Sequence, residues 1–282
     1  MRVFDQKKGL ISFLSVCRAE NQTIGLVPTM GALHQGHLSL VKTALGQNDV
    51  VVVSIFVNPT QFDKKDDLEK YPRNMDADIS LLNEVSENIV VFTPTESEIY
   101  DGKIVSESYE FGGLDKVMEG KFREGHFDGV GTIVELLLRT VSPDRAYFGE
   151  KDFQQLQIIK KMAQMKNLPY EIIPCSIERE SHGLAMSSRN ERLSEKVRNE
   201  ASFIYKTLLT AKSKFGIEST IYISEWVKSQ FEKNEQLELE YFEIMEEETL
   251  TPISKRQQNK KYRAFIAVYA EGVRLIDNLR LN

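Results

Sequence analysis

A chain of 282 residues with 41% hydrophobic and 28% charged residues is long enough for two domains with their own cores, and this balance excludes a disordered polypeptide. A formal net charge of −6 leaves no basic excess for nonspecific binding to DNA or RNA, so any nucleotide partner is expected to be small. Cys17 and Cys175 form neither a disulfide framework nor a metal motif, residues 1–14 lack the apolar core of a secretory signal, and no apolar run is long enough to span a membrane. A cytoplasmic protein without nucleic-acid or membrane partners is the expectation.

Leu10, Phe13, Leu14 and Cys17 recur at helical spacing and predict a short helix before the first strand. Residues 24–27 are an apolar run that stops at Pro28. Thr29, Met30, Gly31, Ala32, Leu33, His34, Gln35, Gly36 and His37 follow, and then an amphipathic stretch through Leu38, Leu40, Val41 and Leu45. That order predicts strand, tight turn and helix. A helix N-terminus there gathers unpaired N–H groups and the positive end of the helix dipole, which suits phosphate. His34 and His37, three residues apart, are expected to share the first helical face and donate to phosphate oxygens. A single histidine at a helix start is commonly a cap or a surface residue; two of them bracketing a glycine at this turn favour function.

Residues 50–57, VVVVSIFV, form a β-branched run of the kind buried on both faces of a parallel sheet. The run ends at Asn58 and Pro59, which places Asn58 and Gln61 where open α/β sheets bind ligands. The Asn-Pro pair is equally a turn signal. Residues 64–69 read as a charged loop, and Met75, Ile79 and Leu82 as a helical stripe with Asp76 and Asp78 complementing the dipole of its first turn. Residues 88–92 supply a third strand. Strands separated by helices in this way predict a parallel sheet with right-handed crossovers.

The glycine-rich stretch 112–131 contains Lys121, Arg123 and His126, and reads either as a surface loop or as a flexible anion clamp. Val130, Ile133, Val134, Leu137, Leu138 and Val141 then mark a core helix that stops before Pro143. Residues 146–148 form a strand running into Gly149, Glu150, Lys151 and Asp152; Lys151 is a point charge within reach of phosphate or part of a solvated surface trio. Another strand covers 172–174. Met186, Ser187, Ser188 and Arg189 suit either a capped turn or hydrogen bonding to a polyphosphate. Beyond Leu193 the pattern changes: one helix through Val197, Ala201, Ile204, Leu208 and Ala211, a second through Ile223, Val227 and Phe231, and strands at 239–245, 263–269 and 273–277, the last two joined at Glu271-Gly272. This reads as a smaller α+β domain.

Six motifs in order, PTMGALHQGH (28–37), FVNPTQF (56–62), YPR (71–73), FREGHFDGVGT (122–132), PDRAYFGEKDFQQ (143–155) and GLAMSSRN (183–190), resemble those of the pantoate–β-alanine ligase (pantothenate synthetase) family. His-Gln-Gly-His is similar to the His-x-Gly-His signature of the wider nucleotidyltransferase superfamily, and Met-Ser-Ser-Arg to its second, phosphate-binding signature. The resemblance implies an α/β fold, with a Rossmann-like domain over 1–180 and a smaller C-terminal lid over 181–282, in a homodimer. It implies condensation of (R)-pantoate with β-alanine, driven by ATP with Mg2+, through a pantoyl adenylate.

By the same resemblance His37 is a proton donor and acts with His34, Lys151 and Arg189. The residues around ATP are Met30, Gly31, Ala32, Leu33, His34, Gln35, Gly36 and His37, with Gly149, Glu150, Lys151, Asp152, Glu178, Met186, Ser187, Ser188 and Arg189. Those around the other substrates are Gln61 and Gln155, with Pro28, Thr29 and Asn58. The chain departs from the family pattern at Glu178, His182 and Leu136. Two alternatives stand beside the ligase: a nucleotidyltransferase of the same superfamily acting on a phosphorylated acceptor, and a noncatalytic adenylate-binding module. Neutral Gln61 and Gln155 speak against a phosphorylated acceptor, which would call for Arg or Lys.

Overall fold

The computed structural model describes residues 1–63, 65–253 and 256–282, in two compact units. The first comprises Met1–Glu150 and Gln155–Ser176, the second Lys151–Gln154 and Ile177–Asn282. In the first unit the elements run β1 (Arg2–Phe4), α1 (Lys7–Ala19), β2 (Ile24–Thr29), α2 (Gln35–Leu45), β3 (Val50–Ile55), α3 (Lys65–Glu69), α4 (Met75–Val85), β4 (Val90–Phe92), α5 (Glu96–Ile99), α6 (Met118–Phe122), α7 (His126–Val141), β5 (Arg145–Gly149), α8 (Phe153–Met165) and β6 (Glu171–Cys175). Phe153 and Gln154, which open α8, belong to the second unit.

The six strands form one parallel sheet in the order β1-β4-β3-β2-β5-β6. Every residue of β3 is buried, as its β-branched run requires. Val27, Val51, Val53 and Ile55 share a core with Leu38, Val41 and Ala44 of α2 and Leu82 of α4, while α7 packs against β2 and α1. The chain leaves β2 toward β3 and β4, then returns to lay β5 on the other side of β2, so the strand order reverses between β2 and β5. Ligands of open α/β sheets bind in that crevice, beyond the carboxyl ends of the strands. Pairing of β2 with β5 stops at Leu26↔Ala146, whereas pairing with β3 continues to Thr29↔Ile55. Pro28, which has no N–H to give a ladder, lies just past the point where β2 and β5 part.

The parallel sheet and the smaller α+β domain are as the sequence led us to expect, with local corrections. A strand, β1, precedes the first helix; its three residues are too few to carry a periodic signal and it is recognised only by pairing with β4. β2 does not stop at Pro28 but runs to Thr29. Of the expected charged loop 64–69, Lys64 lies outside the described residues, and Lys65–Glu69 is a short helix. The glycine-rich clamp is not a loop at its core: α6 and the first turn of α7 occupy it, and α7 begins at buried His126.

The second unit contains α9 (Glu195–Glu200), α10 (Ser202–Lys214), α11 (Thr220–Phe231) and the antiparallel sheet β7 (Glu238–Glu246), β8 (Tyr262–Ala270), β9 (Val273–Arg280) in that order. The single helix expected across Ala201 is broken there, with Ser194 capping α9 and a new helix starting at Ser202. Glu271 and Gly272, at φ +49° and +73°, make the tight turn between β8 and β9. Ile204, Leu208, Ile223, Val227 and Phe231 of the helices meet Ile244, Ile266 and Val268 of the sheet in one core.

The sheet also buries charge. Glu247 accepts from Arg263 Nε at 2.9 Å and from Arg280 Nε at 2.8 Å, with the Arg263 and Glu247 side chains 3% and 6% exposed. Burial alone would raise the Glu247 pKa, but the two guanidinium groups outweigh it and hold the carboxyl below its ordinary 4.5. A folded pKa below the unfolded one means that the stabilisation is complete above 4.5 and is lost as the pH falls through the depressed folded value. Glu247→Gln removes the buried carboxylate charge that Arg263 and Arg280 share and is expected to cost about 3–5 kcal/mol at neutral pH. Urea unfolding at neutral pH checks the cost. Repeating it at acid pH should bring wild type and variant together; a constant gap across the range would remove Glu247 from this role.

Candidate active site

The turn after β2 stands at the sheet's reversal point. Gly31 and Ala32 both lie in the left-handed region, at φ +79° and +48°. A Cβ on Gly31 would sit 2.9 Å from Asp78 Oδ2 and 3.1 Å from Ile55 Cγ2, so only glycine fits. Thr29 Oγ1 donates to Ser54 O at 2.8 Å and accepts from Gly31 N at 3.2 Å, which pins the start of the turn to β3. Leu33 is buried in the sheet core. The turn is therefore a rigid, strained conformation held from below.

What holds it is a residue that the sequence pattern alone assigns elsewhere. Asp78, on the first turn of α4, is 3% exposed. Its Oδ1 accepts from Leu33 N at 2.7 Å and its Oδ2 from Ala32 N at 3.0 Å. Asp78 thus compensates two backbone donors that the turn leaves without a strand partner. Burial raises its pKa, and the two N–H bonds oppose that rise without cancelling it. Nothing local distinguishes Asp78 from exposed Asp76, since both are acidic residues at one helix start. The one clue is spacing: Asp78 falls beside Ile79 and Leu82, near the apolar stripe.

The two histidines cap α2 reciprocally. His34 is the N-cap residue, extended at φ −144° and ψ 176°, so it precedes the helix and does not share its first face as expected. Its Nδ1 accepts from Gly36 N at 3.1 Å, and His37 Nδ1 accepts from His34 N at 3.3 Å. The ring centroids are 4.1 Å apart. A backbone N–H can only donate, so Nδ1 carries the lone pair in both rings and the proton of each neutral imidazole lies on Nε2. One nitrogen of each ring builds the turn, which leaves the other to carry the ring proton.

The end of β3 lies alongside. Asn58 caps the 3-10 turn Pro59–Gln61. Its Oδ1 accepts from Thr60 N, Thr60 Oγ1 and Tyr100 Oη, and its Nδ2 donates to Gln61 Oε1 at 3.2 Å and Gly129 O at 3.1 Å. Asn58 thus holds the 3-10 turn and orients the amide of Gln61. Gln61 Nε2 meets Met30 Sδ at 3.0 Å, which joins the turn after β2 to the turn after β3. A thioether is a weak acceptor, and a hydroxyl or carboxylate oxygen is a better one.

His126 and Arg123 complete this corner. His126 Nδ1 donates to Gln61 O at 2.7 Å, and Arg123 donates to His126 Nε2 at 3.1 Å and to Gln61 O at 3.4 Å. A carbonyl on one side and a guanidinium on the other require a neutral His126. A Cβ on Gly129 would fall 2.4 Å from Thr60 O, so the first turn of α7 rests directly on the 3-10 turn. Gly149, at the end of β5, is half-buried with Glu150, and Gln155 follows on α8.

The second unit carries the remaining expected residues. Lys151 Nζ lies 3.9 Å from Asp152 Oδ2. Glu178 has an exposed side chain, while its carbonyl accepts from Met186 N at 3.0 Å. Ser187 caps the 3-10 turn Ser188–Arg192 through Arg189 N at 3.3 Å. Met186, Ser187, Ser188 and Arg189 are all half-buried. His182 is occupied by Arg198 O at 3.0 Å. Leu136 is half-buried on α7 of the first unit.

Comparison with known proteins adds the lineage. The family model for pantoate-beta-alanine ligase matches residues 2–280. A pantothenate synthetase of Christiangramia forsetii is 56% identical over 100% of both chains, and one of Flavobacterium psychrophilum 50% identical, again over 100% of both. A crystal structure of pantothenate synthetase from Thermus thermophilus superposes with a TM-score of 0.91 at 36% identity, covering 100% of this chain and 99% of that one. A pantoate-beta-alanine ligase from Francisella tularensis, complexed with beta-gamma ATP and beta-alanine, gives 0.80 at 35% identity over 100% and 98%. A full-length family match and end-to-end relatives at one-half identity or more lead to one conclusion: the chain belongs to the pantoate-beta-alanine ligase family.

Proposed function

We infer that this enzyme condenses pantoate with β-alanine at the expense of ATP, giving pantothenate, AMP and diphosphate. The observation that carries the reading is the reciprocal histidine cap at the reversal point of the sheet, in a chain matched to the ligase family over residues 2–280. A carboxylate is a poor acyl donor. An oxygen of the pantoate carboxylate attacks the α-phosphorus of ATP, the bond to the bridging oxygen breaks, and diphosphate leaves with the electron pair. The amine of β-alanine then attacks the acyl carbon of the pantoyl adenylate, loses a proton, and expels AMP.

The first step brings two anions together, so it needs donors aimed at the phosphate and substrates held in line. His34 and His37 are proposed to donate from Nε2 to phosphate oxygens, with His37 stabilising the charge that builds on the leaving group. Met30, Gly31, Ala32, Leu33, Gln35 and Gly36 shape the nucleotide site with Gly149 and Glu150. Lys151, Asp152, Glu178 and Met186 with Ser187, Ser188 and Arg189 are proposed on the nucleotide too, Lys151 and Arg189 supplying positive charge. Gln61 and Gln155 hold pantoate next to Pro28 and Thr29. Their neutral amides orient the carboxylate without binding it into a salt bridge that would blunt its attack.

Magnesium is proposed as part of the nucleotide substrate, held by the triphosphate oxygens. The enzyme is further proposed to be a cytoplasmic homodimer. Among the described residues no helix is long and apolar enough to cross a membrane.

Exchange of labelled diphosphate into ATP is expected to require pantoate, and addition of β-alanine to yield pantothenate and AMP; exchange that ignores pantoate would overturn the reading. His37→Ala should lower turnover at least ~100-fold, the scale for losing one donor to developing charge. Asp78→Asn keeps the shape but replaces one of two acceptors, and should lower kcat/KM for ATP about tenfold. Because the raised pKa brings protonation of Asp78 above 3.8, wild-type activity should decline on acidification before an ordinary aspartate would titrate. The Asn variant should lack that decline, and an unchanged acid limb would dissociate Asp78 from it.

A further inference from the structure

β9 carries Asp277 and Asn278 in succession, and neighbours on a strand point to opposite faces of its sheet. Both are buried polar residues, and each is engaged by a segment distant in sequence. On one face Asn278 Nδ2 donates to Lys151 O at 2.9 Å. Asn278 Oδ1 accepts from Arg263, whose guanidinium lies 3.9 Å from the centre of the Phe153 ring. Phe153 also meets Phe265 at 5.9 Å. The segment Lys151–Gln154 is thus seated on the sheet by one backbone hydrogen bond and one aromatic side chain.

On the other face Asp277 receives both terminal nitrogens of Arg179, at 2.6 and 2.9 Å. Arg179 stacks on Tyr205 at 3.7 Å and donates to Gly183 O at 3.0 Å. Arg179 pairs with Ala185 in a short hairpin, which is closed by Met186 N donating to Glu178 O. That hairpin delivers the Ser188–Arg192 turn, which packs on β9 itself. Asn190 Nδ2 fastens the turn to Ala185 O at 3.0 Å and Glu180 Oε1 at 2.7 Å.

We propose that Asp277 and Asn278 are positioning residues, through which β9 holds in common register the two segments bearing Lys151 and Arg189. The proposal rests on the assignment of those two cations to the nucleotide. The geometry gives it a specific form: the carbonyl of Lys151 accepts from Asn278 of β9, so the lysine stem leaves the sheet from a defined point. A strand needed for packing alone would place apolar residues at these positions, as β8 does along most of its length.

Asn278→Asp is the discriminating variant. The carboxylate still accepts from Arg263 but has no N–H for Lys151 O. In the full-length protein its affinity for magnesium ATP, measured by calorimetry, should fall about tenfold, the scale of one lost hydrogen bond beside an opposing oxygen. Affinity for pantoate should stay within about twofold, and the variant should remain folded, its melting temperature falling by only the few degrees that one lost buried hydrogen bond costs. In a Lys151→Ala background the same substitution should weaken ATP binding by less than about twofold, because residues acting through one another are not additive. Wild-type ATP affinity in the folded variant, a parallel loss of ATP and pantoate binding with a lowered melting temperature, or full additivity with Lys151→Ala would each overturn the proposal. ATP affinity needs no turnover, so this outcome is separate from the diphosphate exchange that tests the ligase reading.

Discussion

The carboxylate of Asp78 beneath the turn after β2 is the interaction on which the first unit's site depends. Two consecutive left-handed residues, Gly31 and Ala32, lift the chain off the sheet so that α2 starts at Gln35 behind the His34 cap. A left-handed alanine costs about 1 kcal/mol or more, and the buried N–H groups of Ala32 and Leu33 would cost more if left unpaired. One buried carboxylate answers both donors. Burial disfavours its charge, and the bonds it accepts oppose that effect without cancelling it. The strain is concentrated where the strand order reverses, which is where an α/β sheet offers space to a ligand.

From that turn follows the protonation pattern of the site. Each histidine spends Nδ1 on a backbone donor, so each presents Nε2–H and neither needs a formal charge to act. His126 is held in the opposite tautomer, with Nδ1–H on Gln61 O, and serves as a prop. Three histidines in one unit are thus set in their tautomers by the atoms around them, two with Nδ1 accepting and one with Nδ1 donating. Gln61 sits at the junction, its backbone held by His126 and Arg123 and its amide by Asn58. A neutral amide with one weakly satisfied donor suits an anionic nucleophile that must remain reactive. The acidic chain as a whole thus offers cations to an anionic ligand only at a few points.

The second unit solves a different problem with a similar device. Its hydrophobic core joins helices to one face of a three-stranded sheet, yet the sheet also buries Arg263, Glu247, Asp277 and Asn278. Buried ionic groups add little to stability relative to well-packed apolar residues. Here they fasten segments outside the sheet, Lys151–Gln154 at the start of α8 and the hairpin at Arg179. Directional hydrogen bonds specify where a backbone sits; nonpolar contact specifies only that it is covered.

Local sequence was enough to reveal most of the elements and the character of the chemistry. The β-branched run of β3, the glycine and two histidines ahead of α2, the apolar stripe of α7 and the Glu271-Gly272 turn are local signals, because backbone preference and hydrophobic period act over a few residues. The polar groups of the turn after β3, Asn58 and Gln61, are local signals of the same kind. Packing settled everything that depends on a partner distant in the chain. Asp78 and Asp76 look alike until α4 docks and only Asp78 reaches the turn. β1 is three unremarkable residues until it pairs with β4. The amide of Asn58 is held by Gly129 and Tyr100, partners far away in the chain. Lys151 follows β5 in sequence, yet its carbonyl accepts from Asn278 of β9, and Lys151–Gln154 group with the second unit. The chain's local order sets which groups are available, and burial, which is a property of the whole fold, selects which of them are fixed in place.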